Sequence, residues 1–181
     1  MKQAEGYRYS ARDLAIVRGK HLDVPVILGR ATPTLEMLQH CRNGNYTLLD
    51  LPDELSFVDG AIISCGFGTS FQGVRRADVS GYDTVLVVGL GPVGLAAAMI
   101  SKARGAQVIG VDISPERVAA AEGLGCDLGL IADDQALSKI REYTNGHGVE
   151  VSLECSASQA GRMLSLEAAR LWGRVVFLGE H

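Results

Sequence analysis

Two hydrophobic periods alternate along most of the chain. Short apolar, β-branched runs, typical of strands buried on both faces, are separated by longer segments in which apolar residues return every three or four positions. Strands are predicted at Thr84–Val88, Val108–Val111, Leu128–Ile131, Val149–Glu154 and Arg174–Leu178. The intervening helices are predicted at Pro92–Arg104, Pro115–Gly123, Gln135–Thr144 and Ser158–Leu171. This alternation predicts an α/β fold, a doubly wound parallel sheet with helices on both faces.

The chain before this alternation predicts a helix, a strand and a second helix. Ser10–Lys20 begins with a serine that can cap a helix, Val24–Leu28 is a short β-branched run, and Thr34–Arg42 has apolar residues at helical spacing. Phe57–Arg76 then predicts one further helix, kinked at Gly66 and Gly68.

Composition narrows the function classes. The 181 residues are 47% hydrophobic and carry a net charge of -4. We therefore expect one compact domain, residues 1–181, that binds no nucleic acid, because nucleic-acid affinity depends on clustered Lys and Arg. The four cysteines form no CxxC pair, early charges interrupt any signal peptide, and no apolar run reaches membrane-spanning length. A reduced, cytoplasmic protein without a membrane segment is expected.

A glycine-rich turn follows the first strand of the alternation. The strand TVLVV leads directly into Gly89-Leu90-Gly91-Pro92-Val93-Gly94, which opens the next helix. In this pattern the first glycine permits a tight turn, the second lets the backbone approach a pyrophosphate, and the third lets helix and strand pack closely. Free amides at the helix start then face the phosphates, and proline suits the first helical turn.

An acid at the end of the next strand completes the pattern. Asp112 follows Gly89 by 23 residues, where a carboxylate can accept hydrogen bonds from the adenosine ribose. This acid repels a 2'-phosphate, so NAD is expected rather than NADP. Two alternatives stay open: a glycine turn that binds no nucleotide, and a flavin or another adenosine ligand.

The stretch LPDELSFVDGAIISCGFGTSFQGVRRADVSGYDTVLVVGLGPVGLAAAMISKARGAQVIGVDISPERVAAAEGLG, with VEVSLECSAS and GRVVFLGE, resembles the cofactor-binding half of zinc-type medium-chain alcohol dehydrogenases. The resemblance covers about residues 51–180. It implies a Rossmann-like sheet in the order 3-2-1-4-5, with Asp112 and Arg117 at the adenosine end and Thr69 near the nicotinamide. The residues it assigns to the dinucleotide are Thr69, Gly89, Gly91, Pro92, Val93, Gly94, Asp112, Ile113, Arg117, Cys155, Ser156 and Gly179.

The same resemblance places Cys65 at a catalytic-zinc ligand position of the family. A catalytic zinc needs three protein ligands, and the family takes the other two from a barrel domain with no counterpart in this sequence. We therefore expect Cys65 to be a lone free thiol. We also expect the chain to bind no zinc and to contain no catalytic residue. The chain stops at His181, before the last strand of the family domain, so an exposed sheet edge and a homodimer through that edge are expected.

Residues 2–50 resemble instead a piece of bacterial primosomal replication-restart DNA helicases. That family carries a Ser-Ala-Thr motif where this chain has Arg30-Ala31-Thr32, and no phosphate loop or acidic box precedes it. Helicase activity is therefore not expected.

These two resemblances suggest a chimera joined near Asp50, engineered or shuffled, with residues 1–50 helicase-derived and residues 51–181 a truncated NAD-binding domain. Val24–Leu28 is then expected as a sixth strand beside the strand ending at Leu178; a loosely docked or swapped segment is the other outcome. The leading hypothesis is a protein with residual NAD binding and no turnover. A minimal NAD-dependent alcohol dehydrogenase-like enzyme is the first alternative, and a purely structural product without ligand is the second.

Overall fold

A computed structural model of the chain describes residues 10–28 and 34–179. The chain divides into two compact units, Met1–Glu54 and Leu55–His181. The single-domain organisation stays a prediction. Within the described ranges no helix has the length and apolar character needed to cross a bilayer.

The first unit contains two capped helices. Helix α1 spans Ala11–Leu22 and helix α2 spans Leu35–Arg42. The Ser10 hydroxyl accepts a hydrogen bond from the amide of Asp13, and the Thr34 hydroxyl caps α2 in the same way, each at 3.3 Å. Both predicted helices are confirmed. Each cap stabilises its helix by satisfying a backbone amide that the helix leaves unpaired.

The predicted strand at Val24–Leu28 is wrong. The segment has no strand pairing, and its Ile27 side chain is 83% exposed. It is held by the end of α1, where the amide of Val24 donates to the carbonyl of Gly19 at 3.0 Å. β-branched residues favour strands because they pack well on a pleated, half-buried surface. Without a neighbouring strand to form that surface, the composition of a segment alone does not produce a strand. The altered motif Arg30-Ala31-Thr32 lies outside the described residues.

The second unit begins with a continuous helical stretch. Helix α3, Phe57–Ile62, passes into a π-helical segment, Ile63–Phe67, and then into helix α4, Gly68–Arg76. The single predicted helix is confirmed, and the irregularity expected at its glycines is the π-helical segment, a local widening of the helix.

Strands and helices then alternate as predicted. The strands are β1 Thr84–Val88, β2 Gln107–Asp112, β3 Leu128–Ile131, β4 Val149–Glu154 and β5 Ala169–Phe177. The helices are α5 Pro92–Ala103, α6 Pro115–Gly123, α7 Ala136–Tyr143 and α8 Gln159–Ala168. The largest difference from prediction is the start of β5, at Ala169 rather than Arg174, because Ala169 already pairs with Val149.

All five strands are parallel, in the order β3-β2-β1-β4-β5. This is the predicted order, and the expected sixth strand is not present in the part of the chain that the structure describes. At the end of β1, Val88 lies in register with Val111 of β2 and Glu154 of β4. The carboxyl ends of the three middle strands therefore meet at one edge of the sheet, where the strand order reverses.

Side chains from alternate strand positions build two hydrophobic clusters, one on each face. Val85 and Val87 of β1 pack with residues of α4, α5 and α6. Leu86 and Val88 pack on the opposite face with residues of α7 and α8. Since both faces are covered, the central strands are apolar throughout, as the continuous hydrophobic runs predicted.

An arginine joins the last strand to the loop before the first. Arg174 of β5 donates to the carbonyl oxygens of Ala77 and Asp78, at 2.6 and 2.8 Å, and pairs with the buried carboxylate of Asp83. Asp83 in turn accepts from the amide of Ser80 at 2.7 Å. The charge of Asp83 is thus paired and hydrogen-bonded, as burial of a carboxylate requires.

Candidate functional site

The glycine-rich turn lies between the central strand β1 and the start of α5. Gly89 has φ of +89°, and a Cβ there would come within 2.7 Å of the amide nitrogen of Ser156. A Cβ on Gly94 would lie 1.8 Å from the carbonyl oxygen of Gly89, so helix and turn touch only because this residue is glycine. Gly91 caps α5 and faces open space, with no atom within 4 Å of a Cβ. The geometry of the three glycines thus agrees with the predicted roles: a tight turn at Gly89, open space at Gly91 and close packing at Gly94.

The first turn of α5 contains the other predicted residues of this motif. Pro92 is its first helical residue, where the missing N–H leaves no hydrogen bond unmade. The carbonyl oxygen of Val93 accepts a hydrogen bond from the hydroxyl of Ser70 at 2.7 Å. Ser70 belongs to α4, so this bond fixes the start of α5 against the preceding helix.

Asp112, the acid at the end of β2, points toward the glycine-rich turn. Its side chain is almost completely buried, and its Oδ2 accepts from the amide of Leu90 at 2.6 Å. Its Oδ1 accepts from the amide of Ser114 at 2.9 Å and lies 3.6 Å from the guanidinium of Arg117. The carboxylate therefore joins the glycine-rich turn to the β2–α6 turn, while each oxygen keeps a lone pair for a further donor.

A cavity of about 520 Å³ opens at this edge of the sheet. Its size is within the range of small-molecule sites, and it lies at the carboxyl ends of the strands where the order reverses. Seven of the predicted dinucleotide residues line it: Gly89, Gly91, Asp112, Ile113, Arg117, Cys155 and Ser156.

Thr69 lies in a second groove, of about 470 Å³, between α4 and the end of β5. Leu178 also lines this groove, and the next residue, Gly179, donates its amide to the carbonyl of Glu154 at 3.1 Å. A Cβ on Gly179 would come within 2.5 Å of the amide nitrogen of Ala157. The turns after β4 and β5 are therefore in contact. The larger cavity lies beside the turn after β4, and the groove lies beside the end of β5.

The sequence did not point to two further parts of the cavity wall. One is the turn after β3, with Ala132, Asp133 and Asp134; the other is the start of α8, with Ser158, Ala160, Gly161 and Leu164. The available signal was topological: carboxyl ends of parallel strands share an edge, so the turns after β3 and β4 lie near the turns after β1 and β2.

The thiol of Cys155 is a neutral part of the wall. Burial raises its pKa to about 12, and the nearby Glu154 adds to this increase. At neutral pH it is therefore protonated and contributes an apolar surface.

Cys65 is exposed within the π-helical segment, and it is a free thiol like the other three cysteines. Among residues 10–28 and 34–179, His, Cys, Asp and Glu form no group of three that could hold a metal ion. The described residues therefore do not supply a zinc site, which requires three protein ligands.

A family model matches the larger part of the second unit. Residues 92–180 match the family described as zinc-binding dehydrogenase. The uncharacterised zinc-type alcohol dehydrogenase-like protein YphC of Escherichia coli is 54% identical over 136 residues, 74% of this chain and 38% of that protein. Sorbitol dehydrogenase of Bacillus subtilis is 29% identical over 169 residues, 91% of this chain and 48% of the enzyme. The chain thus spans less than half the length of these relatives.

Solved structures give the same result. Alcohol dehydrogenase TADH from a Thermus species has a TM-score of 0.68 and 30% identity, over 71% of this chain and 38% of its own. A zinc-dependent alcohol dehydrogenase from Streptococcus pneumonia has a TM-score of 0.70 and 27% identity, over 78% of this chain and 41% of its own. The helicase resemblance of residues 2–50 and the chimera gain no support from these matches. The chain contains a region like the NAD-binding part of zinc-type alcohol dehydrogenases.

Proposed function

We propose that the chain is the NAD(H)-binding part of an alcohol dehydrogenase-like oxidoreductase. One observation carries the proposal: Asp112 contacts the glycine-rich turn, with 2.6 Å between its Oδ2 and the amide of Leu90, beside a cavity of about 520 Å³. The acid and the free amides at the start of α5 are the two groups that a dinucleotide requires, one for the ribose and the other for the pyrophosphate.

The surrounding residues divide the cavity by ligand group. The amides of the glycine-rich turn would hold the pyrophosphate, and Asp112, Ile113 and Arg117 would hold the adenosine end. Cys155 and Ser156 would contact the nicotinamide end, together with Thr69 of the neighbouring groove and with Gly179. The carboxylates of Asp112, Asp133 and Asp134 would repel a 2'-phosphate, which favours NAD over NADP.

The reaction class follows from the cofactor and the relatives. NAD, when bound, accepts a hydride, so the whole protein would oxidise an alcohol to a carbonyl compound, with the hydroxyl proton released to solvent. Relatives named sorbitol dehydrogenase make a polyol the first substrate to test. The comparisons support this hypothesis better than a chimeric protein without turnover.

Several finer points remain proposals. The described residues supply no partner ligands for Cys65, so a zinc ion in the whole protein would need ligands from outside them. The homodimer through the outer edge of β5 is likewise a proposal.

The binding proposal is tested by titrating the chain with NADH and NADPH and following nicotinamide fluorescence. Gly91→Val adds a side chain where a Cβ meets no atom within 4 Å, so the fold is kept while the side chain enters the cavity. We expect NADH to bind more tightly than NADPH, and Gly91→Val to weaken NADH binding by about tenfold or more, equivalent to about 1.4 kcal/mol.

The matched control is Gly123→Val, because a Cβ there also meets no atom within 4 Å and Gly123 is not a cavity residue. NADH affinity of the control should equal that of the wild type. Equal affinity in all three proteins, or no binding to the wild type, would count against the proposal. Polyol-dependent formation of NADH, with and without added zinc, then tests the oxidoreductase class.

A further inference from the structure

Three polar atoms are buried without a hydrogen-bond partner in the described ranges: Oγ of Ser152, Oε2 of Glu154 and Oγ of Ser165. All three residues are completely excluded from solvent. Buried polar groups in native proteins are almost always paired, with protein or with ordered water, because an unpaired group loses its hydration without compensation. Three such atoms in one unit therefore require an explanation.

The fold places these atoms between β4 and α8. Ser152 and Glu154 are two residues apart on β4, so their side chains leave the same face of the sheet. The buried residues of α8 are Gly161, Ser165 and Ala168, at the spacing of one helix face, and Ala168 packs in the cluster on that side of the sheet. The Glu154 Oε1 lies 3.1 Å from the position of a Cβ on Gly161, one turn before Ser165.

The other oxygen of the Glu154 carboxylate holds the cavity wall. Oε1 accepts from the amide of Ser156 at 2.7 Å and from its hydroxyl at 2.5 Å. The Ser156 hydroxyl lies 2.9 Å from that of Ser158, which caps α8 by accepting from the amide of Gly161 at 2.9 Å. A chain of hydrogen bonds thus runs from Glu154 to the start of α8, along the turn that lines the cavity.

Gly161 permits this network. A Cβ there would come within 2.3 Å of the Ser156 hydroxyl and 2.9 Å of the Ser158 hydroxyl. Both oxygens are held by the bonds described above, so neither can move aside without breaking them. The absence of a side chain at position 161 is therefore a requirement of the polar network.

We infer that Ser152, Glu154 and Ser165 bind one internal water molecule. Buried waters make about three hydrogen bonds to otherwise unpaired groups, and three such groups lie on the facing surfaces of β4 and α8. The water donates to Glu154 Oε2 and to one serine oxygen, and accepts from the other serine hydroxyl. Glu154 is then a positioning residue: bound to the water on one side and to Ser156 on the other, it fixes the turn that forms the cavity wall.

A high-resolution crystal structure of the full chain tests the water directly. We expect one ordered water within hydrogen-bond distance of all three atoms. A direct hydrogen bond from Ser152 or Ser165 to Glu154 Oε2, without solvent between β4 and α8, would overturn the inference.

Amide hydrogen exchange tests the positioning role. In Glu154→Leu the Ser156 amide loses its acceptor, and its exchange should accelerate by about tenfold or more, the factor of one charge-assisted hydrogen bond. Glu154→Gln keeps an acceptor oxygen and should restore slow exchange. Glu150→Gln is the matched control, because Glu150 lies on the same strand but contacts Thr84 and Arg170 instead. Unchanged exchange in Glu154→Leu would refute the role.

If Glu154→Leu does not fold, Gly161→Ala gives a second test. Its methyl group would lie 2.3 Å from the Ser156 hydroxyl and 3.1 Å from Glu154 Oε1, so both groups must move and exchange of the Ser156 amide should again accelerate. The consequence for nucleotide affinity rests on the proposed function: NADH binding should weaken in Glu154→Leu and not in Glu150→Gln. A wild type that binds no NADH would count against that function alone, since the water and the exchange rates are measured without nucleotide.

Discussion

The two compact units differ in how much of their helical and apolar sequence is buried. In the described part of Met1–Glu54 the buried residues are Gly19 and Met37, and Met37 is still 9% exposed. In Leu55–His181 a five-stranded sheet is covered on both faces, with Leu86 and Ile109 completely buried. Both units have well-capped helices, so helix capping does not explain the difference in burial. The difference lies in long-range packing, which supplies most helix stability in proteins.

The largest expected contrast is between two leucines. Leu86→Ala removes a fully buried side chain from the sheet, whereas Leu35→Ala removes one that is 86% exposed in the first unit. We expect Leu86→Ala to lower the free energy of unfolding by about 2–5 kcal/mol. Leu35→Ala should change it by less than about 0.5 kcal/mol. Urea denaturation followed by far-UV circular dichroism measures both, and equal losses would contradict the contrast.

A smaller contrast is expected between two helix caps. Ser158 caps α8, which packs on the sheet, and Ser10 caps α1, whose buried residue is Gly19. Ser158→Ala should destabilise the sheet unit by about 1 kcal/mol. Ser10→Ala should instead raise amide exchange in the first turn of α1 and leave the unfolding of the sheet unchanged. If both substitutions shifted the main unfolding transition alike, the two units would be energetically equivalent.

The smallest effect concerns thiol chemistry. Burial raises the pKa of Cys155 to about 12 and that of Cys126 to about 11, although both side chains, like that of Cys41, are still partly exposed. Cys65 is exposed. Iodoacetamide labelling read by mass spectrometry should modify Cys41 and Cys65 first, because the thiolate is the reactive form.

The raised pKa of Cys155 also makes the free energy of unfolding depend on pH. As pH rises through the ordinary thiol range, the unfolded state releases a proton that the folded state retains. The stabilisation of the folded state by burial of the neutral thiol is therefore complete below that range. It is lost as pH rises through about 12. Early labelling of Cys155 at neutral pH would contradict its burial.

Local signals in the sequence located most elements of the second unit. The bounds of β1, β3, β4 and α6 agree with prediction to the residue, because turns and helix caps mark where each apolar run ends. The strand predicted at Val24–Leu28 is wrong for a physical reason: strand formation depends on a partner that the segment itself does not encode.

The candidate site was predicted only in part. The glycines and Asp112 were found because their roles require particular residue types at particular spacing. Ala132, Asp133 and the start of α8 were not, because the cavity takes whatever lies at those strand ends. The buried carboxylate of Glu154 also gave no signal, since its burial depends on α8, which packs against its strand, and its hydrogen-bond partner Ser156 lies in the turn between them.

The strand order has a consequence for how the chain folds. The central strand β1 pairs with β2 soon after it in the chain, but its other neighbour is β4, where Val85 meets Val151. Bringing these segments together closes a long loop, and such closures slow folding. During synthesis β1 leaves the ribosome with one edge bare until β4 follows. We expect that interval to be when a nascent chain most needs protection from aggregation.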